Sequence, residues 1–527
     1  MNREEILAEL KKPWDIIVVG GGITGAGVFR EGARAGFRCL LLEQRDFAWG
    51  TSSRSGKMVH GGLRYLAQGQ IKTTWHSVRE REKLLREYAG MVESMGFLVP
   101  YYEFDRLTPY LLGAGLTVYD LMAFRYDHSQ LDAVNFVMQI PAIDSHGLTG
   151  GVRFRDARTD DARLVLRVIQ EGESLGGVAL NYVKVEEVCK DKTGRVQGVA
   201  LRDEVSKENV EVRGQLVINA TGVWADELRS QMGRSPRMRR LRGSHLIFPS
   251  WRFPLAQALS FFHPADNRSV YVLPWEGITL VGTTDVDHEH SLAEEPHISY
   301  SEGEYLLDGV RTNFPSLNLT AKDILSTFSG VRPVINTGKA NPSKESRDHV
   351  IWNDNGLVTV TGGKMTTFSL LARETLAKVR KHLPSTGNGK LNSQEESKGT
   401  DRLLSETQQK GSTYQRLAGR YGYDNGKTML KQANEREREV IPGTDILWTE
   451  LCWAARHEGV VHLEDLLLRR VRLGLLVPNG GAELMQRIRE IVQPELGWND
   501  QQWEHEANNY LELWRSAYSP GLVTSHS

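Results

Sequence analysis

Residues 15–25 read Asp-Ile-Ile-Val-Val-Gly-Gly-Gly-Ile-Thr-Gly. The apolar run is short and β-rich and ends in glycines, which suits a parallel strand buried on both faces. Gly20, Gly22 and Gly25 follow it at GxGxxG spacing. The first allows a tight turn, the second lets backbone approach a pyrophosphate, and the third lets helix and strand pack closely. Residues 26–35 read as a helix whose N-terminus offers unpaired N–H groups and a positive dipole end to that pyrophosphate, with Ile23 and Thr24 of the glycine turn as further cofactor contacts. A second strand over residues 37–42 ends at Glu43, where a carboxylate can accept hydrogen bonds from an adenosine ribose. Strand, glycines, helix, strand and terminal acid occur in order, so this is a β–turn–α–β dinucleotide-binding unit. One departure is Phe29, at a position where the extended pattern usually has Gly or Ala, and it leaves the local helix–sheet packing open.

The chain has 527 residues, which suggests two to four domains. Lys and Arg number 65 against 66 Asp and Glu, so the formal charge is −1. That balance excludes a general polyanion binder, and no nucleic-acid partner is expected. Apolar residues are 40% and charged residues 25%, enough to bury several cores. Cys39, Cys189 and Cys452 are far apart and form neither a disulfide framework nor a zinc site, which fits a reducing, cytosol-facing setting. Cys39 lies in a strand and reads as core. The charged N-terminus lacks the apolar core of a secretory signal, and no long uncharged apolar run predicts a membrane span.

Further along, residues 77–88 and 160–176 read as helices, and 178–189, 198–201 and 215–219 as strands. Short strand-like runs punctuated by Pro and Gly fill 245–283, as in a mixed sheet. A strand at 357–361 leads through Gly362-Gly363 into a helix over 366–382. Residues 386–411 are rich in Ser, Gly, Asn, Gln and charge and read as a linker; the pattern is helical thereafter.

Several stretches carry a family resemblance. They are residues 51–66 (Thr-Ser-Ser-Arg-Ser-Gly-Lys-Met-Val-His-Gly-Gly-Leu-Arg-Tyr-Leu), Asp160-Asp-Ala-Arg-Leu164, Asn219-Ala-Thr-Gly-Val-Trp224, Gly243-Ser-His245, Gly282-Thr-Thr-Asp285, Ser329-Gly-Val-Arg-Pro333, Gly362-Gly-Lys-Met-Thr-Thr367 and Leu463-Glu-Asp-Leu-Leu-Leu-Arg-Arg470. With them the chain resembles the FAD-dependent, quinone-linked glycerol-3-phosphate dehydrogenases, a branch of the amino-acid-oxidase-like flavoproteins, across most of its length. The resemblance implies an α/β fold. A Rossmann-like FAD-binding domain is expected from residues 13–90, 150–240 and 330–385, a mixed-sheet substrate domain from 91–149 and 241–329, and an all-α C-terminal domain from 412–527. It also implies oxidation of glycerol 3-phosphate to dihydroxyacetone phosphate by hydride transfer to FAD, with electrons passed to membrane quinone. The protein would then sit peripherally on the cytoplasmic face of the membrane, and a homodimer is compatible with it.

Residue by residue, the resemblance points to Arg64, Arg332, Lys364 and Arg347 for the substrate phosphate, which arginine can grip with two parallel hydrogen bonds. It points to Thr51, Ser52, Ser53, Val183 or Val185, Ala220, Gly222, Lys364, Met365 and Thr366 for the cofactor. Two histidines compete for the base that takes the alcohol proton, since imidazole titrates near neutrality. His60 is favoured, with His245 orienting substrate or assisting. An oxidase passing electrons to O₂, a related flavoenzyme acting on an amine or 2-hydroxy acid, and a non-catalytic flavin-binding redox sensor remain the alternatives. The run Asp285-Val-Asp-His-Glu-His290 reads as an exposed acidic loop and not a metal site. The five arginines of residues 234–242 read as a basic loop, either solvated or facing anionic lipid. Residues 107–124, apolar apart from Asp120, suit either a membrane interface or a roof over the substrate pocket.

Overall fold

Ile16, Ile17 and Val18 are wholly buried because the strand Trp14–Val19 is paired along both edges. It lies parallel to Cys39–Leu42 on one side and to Asn209–Asn219 on the other. The computed structural model describes every residue except 1, 2, 68, 105–107, 339–344, 346–348, 384–411 and 525–527. Arg347 and the expected linker 386–411 therefore lie outside the described residues. The described chain divides into two units, the first comprising Met1–Ser53, Asp160–Leu241 and Val331–Tyr423, the second Arg54–Thr159, Arg242–Gly330 and Asp424–Ser527.

In the first unit the sheet order is Val350–Asp354, Leu357–Thr361, Asn209–Asn219, Trp14–Val19, Cys39–Leu42, Val178–Leu180, the first strand alone being antiparallel to its neighbour. Asn209–Asn219 begins earlier than expected because its first half pairs with the hairpin Val183–Lys190 and Val196–Asp203. Helix Ile23–Arg34 packs against helices Asp161–Ser174 and Phe368–Val379. Phe29 is fully buried there. A Cβ at Gly172 or at Gly177 would stand 2.5 Å from its ring, so two glycines make the room that the large side chain takes. Cys39 is wholly buried, and burial pushes its thiol far up, as befits core.

In the second unit a mixed sheet runs Val286–Asp287, Met238–Pro249, Ile278–Gly282, Ser269–Trp275, Ala258–Phe262, Val92–Tyr102, Leu148–Thr159, Met58–Val59. Ala258–Phe262 is parallel to Val92–Tyr102, and most of the other pairs are antiparallel. The C-terminal helices share a core with this sheet. Phe97, Phe154, Trp275 and Phe328 form one buried cluster with Leu451, Leu467, Leu475, Trp503 and Trp514. Within the C-terminal Leu-Glu-Asp motif the helix widens, and Val471 N–H reaches back five residues to Leu466 O at 3.0 Å.

Two surface expectations resolve differently. The arginine-dense stretch is not a free loop, because much of it lies on the strand Met238–Pro249. Arg234 pairs with Asp354 at 2.7 Å, Arg239 with Glu345 at 3.5 Å, and buried Arg242 with Glu302 at 2.6 Å. The apolar segment forms the helix Thr108–Ala123, with Leu116, Tyr119 and Asp120 buried and Tyr110, Leu111 and Leu121 exposed. Phe124 beyond it and Ile71 and Trp75 on helix Ile71–Glu87 are also exposed, and the rings of Trp75 and Phe124 meet at 6.1 Å. Among the described residues no helix is long and apolar enough to cross a membrane.

The packing around Phe29 makes a direct prediction. Gly172→Ala forces a methyl into the ring and should cost about 1–3 kcal/mol, read as a lowered denaturation midpoint. An unchanged midpoint would show that the site has slack which this packing denies.

Candidate functional site

The turn after Trp14–Val19 holds the first cluster. Gly20 has φ +111°, and a Cβ there would meet Ala220 O at 2.5 Å. A Cβ on Gly25 would lie 1.8 Å from Gly20 O, so the helix can rise this close to the strand only without a side chain. Ala220 N–H donates to Val19 O at 2.8 Å and brings the 219–224 stretch alongside the turn. Ser52, in the single turn Thr51–Ser53, accepts the Ile23 N–H at 3.0 Å, and a Cβ on Gly22 would sit 3.0 Å from the same oxygen. The Thr51 hydroxyl donates to Val331 O, beside Arg332 on the strand Ser326–Ile335. Ser53 is buried next to it.

Glu43 accepts Gly21 N–H at 2.6 Å and Arg45 N–H at 2.9 Å. Burial pushes its carboxyl up, and these two N–H donors oppose the shift. Val183 N–H donates to Glu43 O at 2.8 Å, and half-buried Val185 lies two residues further along the same strand. Gly222 has φ +61°, and a Cβ there would point into open space. Lys364, in extended conformation, precedes the turn Met365–Thr367 that leads into Phe368–Val379. The donor set along the turn is backbone N–H and hydroxyl with the acid at the far end of the second strand. That chemistry fits a dinucleotide, with N–H groups for its pyrophosphate and a carboxylate for its ribose. Thr24 is the second residue of the helix that these donors open.

The histidines belong to the second unit. His245 is buried on Met238–Pro249 and stacks on Phe328, ring centroids 4.5 Å apart. A Cβ on Gly282 across the ladder would strike its ring at 2.2 Å, and one on Gly56 would lie 3.7 Å from its Nε2. His60 is half-buried just after Met58–Val59, its ring 6.2 Å from that of Tyr65. Arg64 lies on the short helix Leu63–Ala67 that follows.

The residue before His245 is held by a buried carboxylate that the sequence did not single out. Glu302 accepts hydrogen bonds from Arg242 at 2.6 Å, Thr284 at 2.6 Å, Ser244 at 2.8 Å, and the Ser299 hydroxyl and N–H at 2.9 and 3.1 Å. Ser244 also meets Ser329 at 2.7 Å. One anion thus ties together Gly243-Ser-His245, Gly282-Thr-Thr-Asp285 and Ser329-Gly-Val-Arg-Pro333. Burial pushes the Glu302 carboxyl up, but the Thr284, Arg242, Ser244 and Ser299 donors overcome it and hold the group below its ordinary 4.5. The Ser299-x-x-Glu302 capping pattern was visible in the sequence, though it marks only a helix start.

Residues 15–377 match the family model described as FAD dependent oxidoreductase. Residues 381–503 match the C-terminal domain of alpha-glycerophosphate oxidase. The aerobic glycerol-3-phosphate dehydrogenase of Bacillus subtilis is 36% identical over 394 residues, 73% of this chain and 70% of that one. The chain belongs to the FAD-dependent glycerol-3-phosphate dehydrogenase family. The solved glycerol-3-phosphate dehydrogenase of Bacillus halodurans complexed with FAD superposes with TM-score 0.76 at 28% identity, covering 97% of both chains. The L-alpha-glycerophosphate oxidase of Mycoplasma pneumoniae with FAD bound shares the fold at TM-score 0.58 and 19% identity, covering 72% of this chain and 98% of its own. FAD is accordingly the cofactor of this flavoprotein, in keeping with the cradle at Gly20–Gly25.

The half-buried Glu43 and the buried Glu302 should respond differently to substitution. Glu43→Ala removes a charged acceptor and should weaken FAD binding by about 1.5–3 kcal/mol, measured as flavin lost on gel filtration; full retention would place the ribose elsewhere. For Glu302 the folded value is depressed, so its stabilisation is complete above 4.5 and is lost as pH falls through the lower folded value. Wild-type melting temperature should therefore drop steeply in acid, and Glu302→Gln should start lower but show a shallower acid slope. Equal slopes would remove Glu302 from that role.

Proposed function

We propose that this flavoenzyme oxidises sn-glycerol 3-phosphate to dihydroxyacetone phosphate and passes the electrons to membrane quinone. The observation that carries the reading is the tandem match of the oxidoreductase model and the glycerophosphate-type C-terminal model within one chain. When bound, FAD supplies the hydride acceptor at flavin N5. The chain's own groups bind, orient and deprotonate. Gly20, Gly22, Ile23, Thr24 and Gly25 hold the pyrophosphate with backbone N–H groups, and Glu43 takes the ribose hydroxyls. Thr51, Ser52, Ser53, Val185, Ala220, Gly222, Met365 and Thr366 would complete the cofactor contacts, and N–H groups of the Lys364–Thr366 turn would hold the flavin's O2 end and favour negative charge there. Arg64, Arg332 and Lys364, with Arg347 outside the described residues, are the cations that the family motifs offer to the substrate phosphate, and a dianion repays several cations better than one. A ring nitrogen of His60 takes the hydroxyl proton while the carbinol hydrogen leaves as hydride. Buried His245, stacked on Phe328 and next in sequence to Ser244 of the Glu302 network, orients the substrate.

Residues 412–527 form the helical C-terminal domain in this reading. The protein sits peripherally on the cytoplasmic face of the membrane. The exposed apolar face of Tyr110, Leu111, Leu121 and Phe124 supports attachment, since such a face is suited to the acyl–headgroup boundary. The paired arginines at Arg239 and Arg242 do not.

Anaerobic addition of glycerol 3-phosphate should bleach the bound flavin, and the reduced enzyme should reoxidise faster with quinone than with O₂. No bleaching with FAD in place would remove the reading; faster reoxidation by O₂ would make the protein an oxidase. General-base loss is worth ~10²–10⁴-fold, so His60→Ala should slow bleaching within that range with flavin retained. A larger loss in His245→Ala would exchange the two roles. For attachment, Leu121→Asp with Phe124→Asp should abolish co-flotation with lipid vesicles, and undiminished flotation would move the contact to another surface.

A further inference from the structure

We infer that Asp156, held by Arg81 and Tyr119, is a positioning residue for the loop carrying His60 and Arg64; the inference rests on the functional reading above. The loop begins where a ladder stops. Met58 and Val59 pair with Arg158 and Ala157 of the strand Leu148–Thr159, and the next residue of that partner strand is Asp156. There the side chain takes over from the backbone, and Asp156 Oδ1 accepts Gly61 N–H at 2.9 Å.

The same oxygen accepts Arg81 Nη1 at 2.6 Å and the Tyr119 hydroxyl at 3.0 Å. Arg81 Nη1 also donates to Tyr119 Oη at 2.9 Å and to Arg155 O at 3.0 Å. Arg81 comes from helix Ile71–Glu87 and Tyr119 from helix Thr108–Ala123, so both helices converge on one carboxylate oxygen. Arg81, Tyr119 and Asp156 are all buried. Hydrogen bonds to an ionised acceptor are short and strong, and a buried carboxylate must keep them. Their common effect is to fix the peptide plane at Gly61. A Cβ at Gly61 would come within 2.2 Å of Tyr119 Oη, so the loop lies directly on the tyrosine. Gly62 follows with φ +80° and turns the chain into the helix bearing Arg64. The course of the backbone at His60 on one side of Gly61 and at Arg64 on the other therefore depends on the Asp156 anchor.

None of these three side chains needs to touch substrate. Their role acts through the loop, and a misplacement of about 1 Å at a reacting group can cost ~10²-fold in rate. The test is stopped-flow anaerobic bleaching of FAD by glycerol 3-phosphate in wild type, Tyr119→Phe, His60→Ala and the double variant, with dithionite reduction as the control for an intact flavin. Tyr119→Phe keeps the ring and drops one hydrogen bond, and should slow bleaching about tenfold with FAD content unchanged. In the His60→Ala background the same substitution should slow bleaching by clearly less than in wild type, what remains acting through Arg64, because residues acting as one unit are non-additive. Additive losses, or bleaching by Tyr119→Phe at the wild-type rate, would overturn the inference. If Tyr119→Phe loses flavin, Asp156→Asn in both backgrounds gives the same cycle, with non-additive losses supporting the inference and additive ones overturning it. A wild-type enzyme that dithionite reduces and glycerol 3-phosphate does not would sink the functional reading and this inference with it; normal wild-type bleaching with additive losses would sink the inference alone.

Discussion

The 1.8 Å that would separate a Gly25 Cβ from Gly20 O is the constraint on which the nucleotide-binding unit depends. Helix and strand are joined so tightly that only a hydrogen fits between them, and that closeness aims the helix N-terminus back over the strand end. Everything at that end is then arranged around the exposed N–H groups. Ser52 meets Ile23, Glu43 meets Gly21, and Ala220 closes the far side by bonding to Val19. A methyl group at Gly25 would move the helix before it changed any side chain, which is why the contact ranks above the individual ligands.

The second unit is organised by a different device, the buried carboxylate. Glu302 and Asp156 each gather donors from elements distant in the chain, Glu302 at Ser244, the residue before His245, and Asp156 at Gly61, the residue after His60. Burying an ion pair is rarely the most stable choice, because desolvation consumes much of the Coulombic gain. What such a group provides is direction. A carboxylate with several fixed donors defines backbone geometry more narrowly than apolar packing of similar volume, and both anchors lie next to a candidate histidine. The C-terminal helices add rigidity by sharing the aromatic core that includes Phe328, the ring on which His245 stacks.

How much of this was legible varies with the range of the interaction. The glycine turn, the β–turn–α–β unit around it and the family-bearing motifs were readable because each is encoded within a short stretch of chain. Phe29 looked like a flaw in the local pattern, and its compensation lies at Gly172 and Gly177, far along the chain on a neighbouring helix and the turn after it. The arginines of residues 234–242 read as a basic patch because composition counts charges without their partners. Asp354, Glu345 and Glu302, which pair with three of them, arrive only through tertiary folding. For the apolar segment 107–124 only the packing shows which residues are covered, its helix burying Leu116 and Tyr119 and leaving Tyr110, Leu111 and Leu121 outside.

By itself the sequence determined the dinucleotide cradle, the family and the roster of candidate groups, since backbone freedom at glycine and the spacing of short motifs are local properties of the chain. Tertiary structure alone decided which carboxylates are buried and what they hold. Glu302 looks like any helix-capping acid and Asp156 like any polar residue on an alternating strand. Each acquires its function from donors brought together across long loops, and a hydrogen bond between residues so far apart leaves no mark on the order in which they are written.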